Sequence, residues 1–136
     1  LIILLDTSAA IGFINRNSAH RARFFQAQNI GHQLAISTVA LFELWFGVAN
    51  GKRWSENAKA LRSFLNQGIA VLPFDADDAR AAGELRSTLV AKGALIGPYD
   101  LLIAAHAVRR NATLITANTR EFSKVPGLVW EDWSVA

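Results

Sequence analysis

Ile96-Gly97-Pro98-Tyr99-Asp100-Leu101-Leu102-Ile103-Ala104-Ala105-His106-Ala107-Val108 is the stretch from which the rest of the chain is read. Gly97 suits a helix N-cap, and Pro98 suits the first helical position, where its missing N–H would have no partner in any case. Asp100 then falls as the third helical residue, where unpaired backbone N–H groups and the positive end of the helix dipole favour an ionised carboxylate. Beyond it the residues are apolar almost all round, which predicts a helix buried on most sides. A carboxylate at the mouth of such a helix is either a dipole partner or one wall of a site. The remaining sequence decides between them.

Upstream, Leu1 to Leu5 is an aliphatic run too short for a confident helix and reads as a central strand ended by Asp6. Thr7 or Ser8 caps a helix to Ile14, and a basic amphipathic helix follows from His20 to Gln28, stopped at Gly31. Leu34 to Ile36 is a second strand; Ser37 or Thr38 caps an apolar helix to Asn50 in which Glu43 is the single charge. Ser55 caps the next helix, Ile69 to Leu72 is a third strand, and Asp75 caps the longest helix, which ends near Gly93. Downstream of the quoted helix, Thr113 to Thr116 and Leu128 to Trp130 complete the strands. Alternating strands and helices predict an α/β fold with a mainly parallel sheet, helices on both faces and right-handed crossovers. Ligands bind such sheets beyond the carboxyl ends of the strands, where strand order reverses, and Asp6 and Asn118 both stand at strand ends.

With 136 residues the chain fits one domain, 1–136. A hydrophobic share of 51% against 18% charged residues excludes intrinsic disorder. Lack of cysteine excludes a disulfide framework, a Cys-ligated zinc and a thiol nucleophile. The formal charge of +3 leaves room for an anionic partner without demanding one. The first apolar run is broken after five residues by Asp6 and lacks a basic flank, so the chain reads as soluble and cytoplasmic.

Three of the 11 carboxylates, Asp6, Glu43 and Asp100, lie within or beside the most apolar stretches, and the other eight fall on polar segments read as solvent-facing. An ionised carboxylate is buried only when it is paired, metal-bound or protonated. Three separate structural carboxylates would be one reading. A single divalent cation shared by all three is the more economical one, and oxygen-only ligands suit Mg²⁺ or Mn²⁺. His20, His32 and His106 lack zinc spacing, and no phosphate-cradling glycine loop or nucleophile elbow occurs.

Leu4 to Ser8, the helix bearing Glu43, the block from Ile96 to Ala107, and Leu-Ile-Thr-Ala-Asn-Thr-Arg-Glu-Phe from 114 to 122 with Val125 to Leu128 resemble the PIN-domain ribonucleases. More narrowly, the chain is similar to the VapC toxins of bacterial VapBC toxin–antitoxin pairs, from end to end and in the same motif order. The resemblance implies a three-layer α/β/α fold and a metal-dependent endoribonuclease using Mg²⁺, for which Mn²⁺ can substitute. Its acidic cluster maps onto Asp6, Glu43 and Asp100, with Asn118 at a fourth position where many relatives carry Asp; Glu121 is a candidate to compensate. Asp6 and Asp100 are expected to ligate the cation, and Glu43 to ligate it or to orient a metal-bound water. Thr7, Ser8 and Thr116 are hydroxyls within reach of that chemistry, and Arg86, Arg109, Arg110, Arg120 and Lys124 are candidates for RNA backbone contacts. The four tryptophans are expected in the core or an interface. The implied partners are an RNA substrate, with tRNA expected, a VapB-type antitoxin and a second copy in a homodimer. Promoter DNA is implied only through the antitoxin complex, and no membrane. The rival readings are a phosphoryl-receiver or phosphatase-like domain using Asp6 as acceptor, and a non-catalytic RNA-binding module.

Overall fold

The computed structural model describes residues 1–135. Strand β1 (Ile2–Leu5) is followed by helices α1 (Thr7–Ile14) and α2 (Ser18–Ile30), then strand β2 (Gln33–Ser37) and helices α3 (Thr38–Ala49) and α4 (Trp54–Leu65). Strand β3 (Ala70–Leu72) leads into α5 (Ala76–Ala91) and α6 (Pro98–Arg109); β4 (Thr113–Ile115), the short α7 (Thr119–Phe122) and β5 (Val129–Glu131) complete the order. All four strand pairings are parallel, in the order β3-β2-β1-β4-β5.

That order reverses between β1 and β4, so the crevice a ligand would use opens where Leu5 pairs with Ile115. Asp6 follows Leu5 directly, and its backbone N–H donates to the Ile115 carbonyl at 3.1 Å. The central strands are sealed on both faces: Leu4, Leu5, Leu34, Ile36, Leu114 and Ile115 are all fully buried. Each such side chain contributes about 1.5–3 kcal/mol relative to exposure, which makes the sheet a rigid base for the crevice.

Helix starts follow the expected chemistry with three corrections. Asp6 itself, rather than Thr7 or Ser8, is the N-cap of α1, and Arg53 rather than Ser55 precedes α4 without a side-chain cap. Ser37 caps α3, and Gly97 with Pro98 opens α6 as the sequence predicts. The third correction concerns Asp78, one of the eight carboxylates read as solvent-facing: it is wholly buried. It closes a reciprocal capping box with Asp75 at the start of α5 and accepts from Arg109 at 2.8 Å and Arg110 at 3.1 Å, pinning α5 to the end of α6. Burial opposes the charge, but the Asp75 N–H and the two guanidinium groups prevail and hold the Asp78 carboxyl well below its usual range.

Candidate metal centre

Four elements converge at the carboxyl edge of the sheet. Asp6 arrives at the end of β1 because the strand stops there and its carboxylate caps α1: Oδ1 accepts from the Ala9 N–H at 2.8 Å and from the Ser8 hydroxyl at 2.7 Å. Ser8 in turn accepts from the Ala117 N–H at 3.1 Å, stitching the end of β1 to the end of β4. Burial pushes the Asp6 carboxyl up, against the Thr116 hydroxyl and the Ala9 and Ser8 donors, and the charge of Glu43 adds to the rise.

Glu43 lies midway along α3, where its Oε1 accepts from the Thr7 hydroxyl at 2.8 Å. The hydroxyl expected to serve solvent or phosphate is thus committed to holding a second acid. Asp100 lies in the first turn of α6 with Asn118 beside it. A carboxylate can only accept, so the Asn118 amide nitrogen faces it, donating to Oδ2 at 3.0 Å. The Asp100 carboxyl is pushed up to about 6, by burial first and then by the charges of Asp6 and Glu43, with Asn118 opposing and Glu121 adding to the rise. The structure therefore brings Asp6, Glu43, Asp100 and Asn118 to one place.

None of the three acids has an arginine or lysine partner among the described residues. Nearby cations have other partners: Arg109 and Arg110 clamp Asp78, and Lys124 stands 3.5 Å from Glu121. Arg109, Arg110 and Lys124 thus each have a carboxylate partner, whereas Arg86 and Arg120 are exposed and take part in no ion pair among the described residues. A crowd of unneutralised carboxylates with oxygen-only donors fits a hard divalent cation. Among the described residues no three Asp, Glu or His side chains stand close enough to grip one ion together. The donor set thus suits an ion that keeps several waters and takes one or two carboxylates directly, the habit of Mg²⁺.

The site opens in two directions. Glu43, Gly97, Pro98, Tyr99 and Asp100 line a shallow mouth, and on its other side Glu43 heads an apolar groove between α1, α3 and α4 walled by Ile11, Ile14, Leu44 and Val48. Exposed Phe42 and Tyr99 meet edge to face at the rim, 5.5 Å between centroids. Of the tryptophans, Trp133 is in the core as expected and Trp54 is exposed. Sequence reasoning missed the Thr7–Glu43 bond, because its partners are 36 residues apart and neither is unusual alone.

The PIN domain profile matches residues 3–128. The chain belongs to the PIN-domain family. Within that family it is 37% identical over 98% of its length to ribonuclease VapC2 of Rickettsia felis, and 38% identical over 98% to the tRNA(fMet)-specific endonuclease VapC of Shigella flexneri, spanning 98% and 99% of those proteins. Its fold superposes over nearly the whole length of one chain in each of two solved complexes. These are VapBC2 of Rickettsia felis bound to a promoter DNA fragment (TM-score 0.92, 36% identity, 98% of this chain and 99% of that one) and DNA-bound VapBC of Salmonella typhimurium (TM-score 0.90, 34% identity, 98% of each). The resemblance drawn from the sequence motifs is therefore correct, and the chain is a PIN domain of the VapC ribonuclease group.

Proposed function

We propose that this chain is the toxin of a VapBC-type pair and hydrolyses RNA phosphodiester bonds with Mg²⁺, or Mn²⁺ in its place, at Asp6, Glu43, Asp100 and Asn118. The observation that carries the reading is the convergence of three acids without a protein counter-charge, one of them pushed up to about 6, at the switch point of a PIN fold. A bound cation would supply Lewis-acid chemistry there, making water a better nucleophile near neutral pH and offsetting charge on phosphate oxygens.

The chain's own residues set up that chemistry. Asp6 has Oδ1 engaged by Ala9 and Ser8, which fixes the carboxylate plane. Asn118 holds Oδ2 of Asp100 and leaves Oδ1 available. Glu43, held by Thr7, is placed to orient water rather than to complete a three-carboxylate cage. Asn118 replaces a fourth charge by a donor, which favours one ion over two.

For substrate we propose tRNA, the class named for the Shigella and Salmonella relatives. For partner we propose a VapB-type antitoxin, since similar solved structures are VapBC complexes, with an apolar segment of it filling the groove beside Glu43; promoter DNA would be reached only through it. A homodimer and a cytoplasmic location complete the proposal; no described helix is long and apolar enough to cross a membrane. A phosphoryl-receiver reading fits poorly, because Asp6 is buried and committed to capping α1.

The test is tRNA incubated with the chain in Mg²⁺, in Mn²⁺ and in chelator, beside Asp6→Asn and Asp100→Asn. Cation-dependent cleavage lost in both variants is expected. Cleavage in chelator, or cleavage surviving both changes, overturns the site; binding without cleavage in any cation leaves the non-catalytic module as the answer.

A further inference from the structure

Ser37, His106 and Asp78 form a chain of side chains that the site as described does not use. His106 Nδ1 is 2.9 Å from the Ser37 hydroxyl, and His106 Nε2, which makes no hydrogen bond among the described residues, is 3.5 Å from Oδ2 of Asp78. The Ser37 oxygen accepts from the Val39 N–H, so its proton is free to point at Nδ1, and Nε2 then carries the ring proton toward the Asp78 carboxylate. The opposite tautomer would aim a lone pair at that carboxylate. These are the residue types of a nucleophilic relay, but all three are fully buried, so no substrate can reach the hydroxyl.

Their placement points to a different task. Ser37 caps α3, the helix of Glu43; His106 is on α6, the helix of Asp100. Glu43 lies six residues after Ser37 and Asp100 six residues before His106, about 9 Å along each helix. The two helices therefore face each other at two levels. At one, two acids of like charge meet without a bond. At the other, a buried hydrogen bond joins the helices, backed by the edge of His106 against Phe74, whose N–H donates to the Thr38 hydroxyl in the first turn of α3. Arg109 and Arg110 fix Asp78, the far end of the chain, in place.

We propose that His106 is a positioning residue of the metal centre: its bond to Ser37 holds α3 and α6 at the separation at which Asp100 would take the cation and Glu43 would orient its water. The inference rests on the metal reading of the acidic pocket. It concerns how tightly the ion is held, and the readout is Mn²⁺ affinity by calorimetry on the full chain, alongside its denaturation midpoint in chelator.

His106→Asn keeps an amide group where Nδ1 stands and loses the Asp78-facing nitrogen, whereas His106→Gln keeps the latter and loses the Ser37 contact. Both variants are expected to unfold more easily, but only His106→Gln loosens Mn²⁺, by about five- to tenfold, the scale of one neutral hydrogen bond. If His106→Gln does not fold, Ser37→Ala removes the same bond from the other side and is expected to loosen Mn²⁺ likewise, with Ser37→Thr restoring it. Equal Mn²⁺ affinity in wild type and His106→Gln, equal loosening in both histidine variants, or unchanged affinity in Ser37→Ala overturns the inference while the pocket reading stands. Failure of the wild-type chain to take up Mn²⁺ overturns the pocket reading, and this inference with it.

Discussion

Asp100 is partly buried beside Asp6 and Glu43, and its one protein donor among the described residues is an uncharged amide. Burial and the charges of Asp6 and Glu43 push its carboxyl up from the ordinary 3.8 to about 6. Between those values the folded state holds the extra proton, so this group lowers stability as pH rises through the window; the cost is absent below 3.8 and complete above 6. In chelator at pH 7.5, Asp100→Asn is therefore expected to be more stable than wild type by about 1–2 kcal/mol, discounted for the solvent that reaches the group, and the gain should vanish toward pH 4. Urea denaturation at the two pH values checks this. Thr7→Val tests the neighbouring bond: it leaves α1 its Asp6 cap but frees Glu43, and the cleavage rate should fall about five- to tenfold with stability changed by less than about 1 kcal/mol. The acids themselves were legible in the sequence because each interrupts an apolar run. The hydroxyls that hold them were not, because a threonine or serine after a strand is equally a helix cap.

At the scale of elements, the sequence displayed every strand and long helix, since each is a short aliphatic run or a capped periodic segment. Asp78 was misread for the same local reason: Asp75, Asp77 and Asp78 look like a solvated first turn, and the two arginines that bury Asp78 lie more than 30 residues on. Removing one partner of a buried pair leaves the others stranded, so Asp78→Ala should lower unfolding free energy by about 3–5 kcal/mol, measured by denaturant titration. The helix pair α1–α2 carries a second hidden constraint. Gly12 has no side chain because the His20 ring occupies the space, 2.5 Å from where a Cβ would stand. Gly12→Ala should cost about 1–3 kcal/mol by overpacking, and adding His20→Ala should recover part of that loss. Independent, additive effects in that double-mutant cycle would contradict the interlock.

For the whole molecule, the parallel sheet places its switch point where three acids from distant parts of the chain meet, and Arg109 and Arg110 are engaged with Asp78 at the far end of α6. A pocket without its own counter-charge would make cation binding a stability term. At a Mg²⁺ concentration a hundredfold above its Kd, linkage predicts about 2.7 kcal/mol, or a rise in Tm of roughly 5–10 °C, absent in Asp6→Asn. The topology could be inferred from alternation, but convergence of Glu43 with Asp100 could not, because nothing in either helix alone states which face meets the other. The family motifs supplied that link. The most direct measurement of the central claim is a pH titration of the Asp100 side-chain carboxyl carbon by NMR, first in chelator and then with saturating Mg²⁺. A midpoint near 6 without cation and a fall to or below the ordinary 3.8 with it is the expected result. A midpoint near 3.8 in chelator, or one near 6 that Mg²⁺ leaves unmoved, would contradict it.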